Sequence, residues 1–431
     1  MLPRILTLLL LLTSIARAQT APAITLADAK ELNPRTGLPN VGARIKYHNT
    51  DLQIAFLGGS LTQANEGYRS QLMDLLKQKY PDAKFQEIPA AVPGTGSTLG
   101  VFRVQESVLN YRPDLVLVEL AIHDMGVDPQ EIEKSLEGLV RQIWKSDNTT
   151  DIVFLYPITE STLKALQDGK CSVAVSLHEK IAAHYGIPTI HFGPEIAQQI
   201  ADNKLVIRSK EPVTEAEKKA LNHRAIFSYD GVYPLSNTGH ALYAEVAFRN
   251  LATLLNTGKV GPHKVPKPLQ TGNYENAKLV SPESPNVTLS KGWTKLPGTH
   301  PTMLKFNKSL QNLFVASTAG ESISFKFKGS YVGLLDIIGP DTNQITVTID
   351  NEPTKLVPRF DGYCTYQRIN NIPLATGLSN EVHTVTLTLP KEQISKIPLL
   401  KEKGNLITAP DLYLGHNIYI SRIMLIGDIV P

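Results

Sequence analysis

Residues Ile54–Leu57, the apolar end of a predicted strand, run into Gly58-Gly59-Ser60-Leu61-Thr62. Two consecutive glycines permit a sharp turn that a residue with a Cβ would resist. The serine after them is then held at the carboxyl end of a strand, the edge at which open α/β sheets bind ligands. A serine presented in that way is a candidate nucleophile. The same letters also fit a plain strand-to-helix turn in which a Ser or Thr caps the helix, so this stretch alone supports both readings. Other groups are less suggestive. His178, His184 and His191 lie along a helical stretch and the strand after it, without H-E-x-x-H or C-x-x-C spacing, and read as structural rather than as metal ligands. Cys171 and Cys364 are far apart and read as two separate thiols.

The elements that would position Ser60 follow from periodicity. Leu52–Leu57 predicts a strand. Glu66–Tyr80 carries Tyr68, Leu72, Leu75 and Leu76 at helical spacing. Lys84–Ile88 is a second strand, and Val101–Tyr111 a helix that ends near Pro113. Asp114–Leu120 is apolar almost throughout, as in a strand buried on both faces. Pro129–Lys145 is a helix with Ile132, Leu136, Leu139, Val140 and Ile143 on one stripe. Asp151–Tyr156, Ser172–Tyr185 and Pro188–Phe192 continue as strand, helix, strand, and Gly239–Leu255 is a closing helix. Such alternation implies a doubly wound parallel sheet with helices on both faces, a three-layer α/β unit of flavodoxin-like type. Residues 19–50 read as an irregular lead-in. Residues 203–222 read as an insertion with one short helix near Glu215–Leu221.

The pattern changes after residue 257. Residues 258–272 are rich in Pro, Gly and Lys and read as a linker between a first domain, 51–257, and a second, 273–431. In the second, strand signals recur at Ser322–Phe327, Val332–Ile338, Gln344–Ile349, His383–Leu389 and Asn417–Ile426 without a long helical stripe, which predicts an all-β sandwich. Its aromatics Trp293, Tyr331, Tyr363, Tyr366, Tyr413 and Tyr419 fit core or strand-pair positions, and could also stack on sugar rings.

Residues 1–18 have a charged start at Arg4, an apolar Ile5–Leu12 and a small-x-small end at Ala16-Arg17-Ala18, the form of a secretory signal. The expected mature protein is soluble and secreted or periplasmic, with no membrane anchor. Its formal charge falls from +3 to +1 once Arg4 and Arg17 are removed, which disfavours electrostatic nucleic-acid binding. Three Asn-x-Ser/Thr sites, at Asn148, Asn286 and Asn307, are glycosylation acceptors only where the source glycosylates.

Four stretches in order carry a resemblance: Gly58-Gly59-Ser60-Leu61-Thr62, Ala90-Ala91-Val92-Pro93-Gly94-Thr95-Gly96-Ser97, Glu119-Leu120-Ala121-Ile122-His123-Asp124, and Asp230-Gly231-Val232-Tyr233-Pro234 with Gly239-His240 soon after. Together they resemble the sequence blocks of SGNH/GDSL hydrolases. Gly94-Thr95-Gly96-Ser97, His178-Glu179-Lys180 and Gly239-His240-Ala241-Leu242-Tyr243, with Asp336-Ile337-Ile338-Gly339-Pro340-Asp341 and Tyr363-Cys364-Thr365-Tyr366 in the C-terminal part, resemble a secreted subgroup that carries a C-terminal β domain. The resemblance implies that Ser60 attacks an ester carbonyl, commonly an acetyl group on a sugar, and that the Ser60 and Gly94 amides hold the oxyanion. It places His123 where the family has an oxyanion-hole Asn. It places Asp230 on the family's aspartate and Tyr233 on the catalytic histidine. A neutral imidazole can still donate one N–H. A phenol, with an ordinary pKa of about 10, is a poor acceptor of a serine proton at neutral pH. His240 is then a candidate replacement base, although it also matches a histidine of family members that keep their own base, where it is structural. Asp124 matches an acidic residue that braces the loop.

The expectations are therefore an SGNH-type esterase acting on acylated carbohydrate or another small ester, without cofactor or metal. Against it stand a non-catalytic relative that binds glycan in the same cleft, and an interaction module whose cleft is vestigial.

Overall fold

The computed structural model describes residues 24–47, 51–212 and 214–431. The expected signal at 1–18 lies outside the described residues. Six strands, β1 (Leu32–Asn33), β2 (Asp51–Gly58), β3 (Lys84–Ala91), β4 (Leu115–Glu119), β5 (Asp151–Tyr156) and β6 (Thr189–His191), form one sheet in the order β1-β6-β5-β4-β2-β3. β2 to β6 are parallel, and β1 adds an antiparallel edge. The chain leaves β2 to reach β3 on one side and then crosses to β4 on the other. The crevice between the carboxyl ends of β2 and β4 is thus a topological switch point, where doubly wound sheets hold ligands.

The apolar stripes find their partners on the two faces. Ten helices occur in this part of the described chain: α1 (Pro39–Lys46), α2 (Ser60–Gln63), α3 (Tyr68–Lys79), α4 (Ser97–Ser107), α5 (Pro129–Ser146), α6 (Leu163–Gln167), α7 (Val173–Tyr185), α8 (Gly193–Ala201), α9 (Glu215–Ala220) and α10 (Ala241–Leu254). α4, α5 and α7 bury Phe102, Leu136, Leu139, Ile143 and Ile181 on one face. On the other face α3, α8 and α10 bury Leu72, Leu76, Ile196, Val246 and Leu251. α5 begins where the Asp128 carboxylate accepts the Gln130 and Glu131 N–H groups as an N-cap.

Three local expectations need correction. The lead-in at 19–50, read as irregular, contains β1 and α1. α1 is fixed by distant partners, including the Asp151 carboxylate that accepts the Val41 N–H at 2.9 Å. The helix read from Val101 starts at Ser97, because Asp124 from another loop accepts the Ser97 N–H at 2.8 Å. The insertion also holds a short strand, β7 (Leu205–Arg208), which pairs in parallel with β8 (Ala225–Ser228) just after it.

The remaining strands are β9 (Ala277–Val280), β10 (Val287–Leu289), β11 (Thr294–Lys295), β12 (Phe314–Ala316), β13 (Ser322–Ile338), β14 (Gln344–Ile349), β15 (Lys355–Pro358), β16 (Arg368–Thr388) and β17 (Ile418–Val430). They hydrogen-bond into a nine-stranded antiparallel assembly, sandwich-like, with two further short helices, α11 (Pro301–Phe306) and α12 (Lys396–Glu402). Two strands expected at Ser322–Phe327 and Val332–Ile338 are one, β13. Its register with both β16 and β17 shifts between Gly329 and Tyr331. A bulge of this kind changes which parity faces inward. Before it Ile323, Phe325 and Phe327 fill the sandwich core; after it Val332 and Leu334 do. Tyr331, Leu335 and Ile337 are thereby turned outward. They are nonetheless buried, because they meet the first unit: they share a core with α4 and α5, and the Phe102 and Tyr331 rings lie 4.9 Å apart.

The Pro/Lys-rich segment 258–272 is strapped to α5. Glu137 accepts the Leu269 and Gln270 N–H groups at 2.6 and 2.7 Å, and the His263 ring stacks on Trp144 at 5.0 Å. Among the described residues no helix is long and apolar enough to cross a membrane.

Candidate active site

Ser60 opens α2 directly after β2. The glycines before it serve close approach rather than unusual dihedrals. Gly59 has φ −97°, open to any residue, but a methyl there would run into the His123 imidazole. A methyl on Gly58 would run into the Thr62 side chain. The capping alternative finds no bond: α2 has no side-chain N-cap. The Ser60 hydroxyl has no hydrogen bond within the described protein and lines an open cleft. The peptide before it is held from below. Glu119, at the end of β4, accepts the Gly59 N–H at 3.3 Å and the Thr62 hydroxyl at 2.8 Å, and Thr62 in turn meets the Tyr68 hydroxyl at 2.7 Å. Burial, without a cation in contact, raises the Glu119 carboxyl to about 7.

Gly94, in the loop after β3, has φ +72° with open space where a Cβ would stand, a backbone state suited to glycine. The loop is tied down at Asp124. That carboxylate accepts the Ser97 N–H with one oxygen and meets His178 Nε2 at 2.7 Å with the other, both side chains being about 1% exposed. Asp124 thus braces the loop, as its sequence position suggested, and His178 is its structural partner. His123 stands next to it with its ring against Gly59. Neither of its ring nitrogens has a partner in the described protein, and burial lowers its pKa, so it presents a neutral imidazole. His184 and His191 also have structural partners, Lys267 and Gly193. No cluster of His, Cys, Asp or Glu suited to a metal occurs among the described residues.

The loop after β8 brings Asp230, Tyr233 and His240. One oxygen of Asp230 accepts the Ser228 hydroxyl and the Val232 and Tyr233 N–H groups, at 2.8, 2.8 and 2.7 Å. Burial disfavours the carboxylate, but these donors outweigh it and hold Asp230 below the ordinary range. The other oxygen has no partner in the described protein. Tyr233, 41% exposed, donates its hydroxyl to the Ser60 carbonyl oxygen at 3.2 Å. Its ring stands edge-on to His240, centroids 5.8 Å apart. His240 is buried, and its Nδ1 accepts the Tyr68 N–H at 3.1 Å. The neutral ring therefore carries its proton on Nε2, which is buried without a partner. Burial lowers this imidazole to about 4. No imidazole hydrogen-bonds Ser60 within the described protein.

Ser60, Gly94 and Tyr233 line one side of a cleft of about 930 Å³. Its other side comes from the second unit, through Leu304, Tyr366 and Arg368. Leu304 and Tyr366 are more than half exposed. Sequence reasoning named Tyr366 among six aromatics, and as the end of the Tyr363–Tyr366 stretch, and missed Leu304. Of the six, Tyr331 and Tyr419 are core residues, Trp293 packs beside the sandwich core, Tyr413 packs by α12, and Tyr363 and Tyr366 are open to solvent. Cys171 and Cys364 are separate buried thiols.

Residues 56–209 match the GDSL-like Lipase/Acylhydrolase family. The resemblance to SGNH/GDSL hydrolases is thereby borne out for the segment holding Ser60, Gly94 and His123, while the Asp230 loop follows the matched segment. The search of curated proteins gives no match. Among solved structures, the chain is similar to a two-domain esterase (CEX) active on acetylated mannans and co-crystallised with mannopentaose. The two share 18% identity with a TM-score of 0.69, over 93% of this chain and 100% of that one. A second crystal structure of a two-domain esterase of that description aligns at 19% identity and a TM-score of 0.69, over 92% and 99% of the two chains. At these identities the likeness concerns the fold: an α/β unit followed by an antiparallel β unit.

Proposed function

We propose that this protein, whose residues 56–209 match the GDSL-like lipase/acylhydrolase family, is a secreted carboxylic ester hydrolase acting on acylated carbohydrate. In this reading Ser60 attacks the acyl carbonyl, and the Ser60 and Gly94 amides, with the neutral His123 ring, receive the oxyanion. The observation that carries it is the placement of a free serine hydroxyl and Gly94 together on a cleft roofed by an exposed tyrosine and leucine. A cleft that sets an exposed tyrosine and leucine among several polar side chains suits a sugar ring bearing an ester. The similarity in fold to esterases active on acetylated mannans supports the same substrate class.

In this reading Tyr233 occupies the position of the missing general base, so turnover is slow. His240 does not replace that base: its acceptor nitrogen is taken by Tyr68 and its other nitrogen already bears the proton. Asp230 is left with a free oxygen and no imidazole to orient. The same observation favours a second reading, a protein that binds acylated glycan in this cleft without cleaving it.

Acetate release from acetylated mannan by the full chain, beside Ser60→Ala, separates the two. A slow release that Ser60→Ala abolishes supports the hydrolase. Binding of the glycan by both proteins with no release from either supports the binding protein. Release that persists in Ser60→Ala contradicts the assignment of Ser60.

A further inference from the structure

The peptide group joining Gly58 to Gly59 is gripped at both ends by buried charged side chains. Its carbonyl oxygen accepts Arg103 Nη2 at 3.2 Å and the Val92 N–H at 2.9 Å. Its N–H, on Gly59, donates to Glu119 Oε2 at 3.3 Å. Arg103 comes from α4 and is 4% exposed; Glu119 ends β4 and is 1% exposed. Neither has an opposite charge in direct contact among the described residues. Each also retains a buried atom without a partner, Nε of Arg103 and Oε1 of Glu119. Two buried ionisable groups left in this state are costly unless each lowers the other's penalty. Arg103 reaches one strand further: its Nη1 donates to the Ala90 carbonyl at 2.5 Å, near the end of β3. One guanidinium thus holds the ends of the two strands that lead to Ser60 and to Gly94.

We propose that Arg103 and Glu119 form an ion pair relayed through the Gly58–Gly59 peptide, and that this pair positions the Ser60 and Gly94 amides as oxyanion donors. The second half rests on the reading of Ser60 as nucleophile; the first half does not. A cation on the carbonyl side polarises the amide so that its N–H is a better donor to Glu119. An anion on the N–H side makes the carbonyl a better acceptor for Arg103. The peptide plane before Ser60 is thereby held in one orientation, which sets the direction of the next N–H. The other titratable groups around Glu119 are Tyr68 from α3, Tyr243 from α10 and Asp124 from the loop after β4. None of these is a cation, so Arg103 is the cation through which Glu119 can be stabilised. Arg69 on α3 is engaged by Glu87.

The test follows the Gly59 amide by NMR in the full chain labelled with 15N-glycine. Its shift against pH reports ionisation of the carboxyl to which it is bonded, with an expected midpoint near 7, and the step vanishes in Glu119→Gln. Removing the cation by Arg103→Met raises the midpoint by at least about half a pH unit, a threefold change in the ionisation constant. Arg103→Lys, which keeps the charge but not the fork, brings the midpoint back toward wild type. A purely structural Arg103 would leave the Glu119 midpoint where it is, and that result overturns the relay. If Arg103→Met does not fold, the Arg103→Lys and Arg103→Gln pair decides: an equal midpoint in both contradicts the proposal, and a higher one in Arg103→Gln supports it. In parallel, the rate at which an alkyl fluorophosphonate modifies Ser60 is expected to fall at least about tenfold in Arg103→Met, as when one oxyanion donor is misplaced. An unchanged rate overturns the positioning role. Where wild type, lacking its base, reacts too slowly to compare, the same comparison is made in the Tyr233→His background. Inertness there overturns the nucleophile reading and the positioning role with it, while the glycine titration still decides the relay.

Discussion

Tyr233 and His240 hold the reading of the site together, and they do so by contact rather than by identity. The phenol reaches the Ser60 carbonyl and the ring rests edge-on against His240. His240 in turn accepts the N–H of Tyr68 at the start of α3. A buried backbone donor stripped of its acceptor costs about 1–3 kcal/mol. His240→Ala is therefore expected to lower stability in urea by roughly that amount while leaving hydrolysis per folded molecule close to wild type. Silenced hydrolysis at unchanged stability would instead make His240 the base. None of this was legible from the letters. Asp230 and Tyr233 could be placed from the motif, but which nitrogen of His240 is occupied depends on a residue 172 positions away.

At the scale of elements, the sheet was readable because its strands are buried on both faces and so are apolar throughout, as in Leu115–Val118 and Ile152–Tyr156. α5 was readable because Ile132, Leu136, Leu139, Val140 and Ile143 form one stripe that the core buries. What escaped was held by distant partners: α1 by Asp151, and the first turn of α4 by Asp124. Glu119 also escaped, since nothing local distinguishes the last residue of an apolar strand from a solvated one. Its burial has a measurable consequence. The folded carboxyl is raised to about 7 by desolvation, whereas in the unfolded chain it titrates near the ordinary value of about 4.3. Between those values the native state keeps a proton that the unfolded chain has lost, so stability falls as pH rises through this window. Denaturation midpoints of wild type should decline from pH 4.5 to 7 relative to those of Glu119→Gln. Parallel curves for the two proteins would refute a Glu119 carboxyl raised by burial.

Across the whole molecule, the second unit both roofs the cleft and completes the core of the first. The bulge of β13 at Gly329 turns Tyr331, Leu335 and Ile337 onto α4, where Tyr331 meets Phe102. Sequence patterning announced an all-β unit but read β13 as two strands, because the parity of its apolar residues changes at the bulge. The segment 258–272, read as a linker, is held against α5 by Glu137 and Trp144. We therefore expect the two units to unfold together. Phe102→Ala should cost about 3–5 kcal/mol and shift a single calorimetric transition. Two separate transitions, with only the first displaced, would show that the units are energetically independent.

On the proposed reading this site retains its nucleophile and lacks only its base, and Tyr233→His tests that reading most directly. Asp230 offers a free carboxylate oxygen three residues earlier, so a histidine at 233 can be oriented with its other nitrogen toward Ser60. The measurement is kcat for an activated acetate ester in wild type and in Tyr233→His, each with and without Ser60→Ala. A gain of roughly 10²–10⁴-fold, mainly in kcat and abolished by Ser60→Ala, is the predicted result. A wild type that is already fast, with Tyr233→His no faster, would contradict the account.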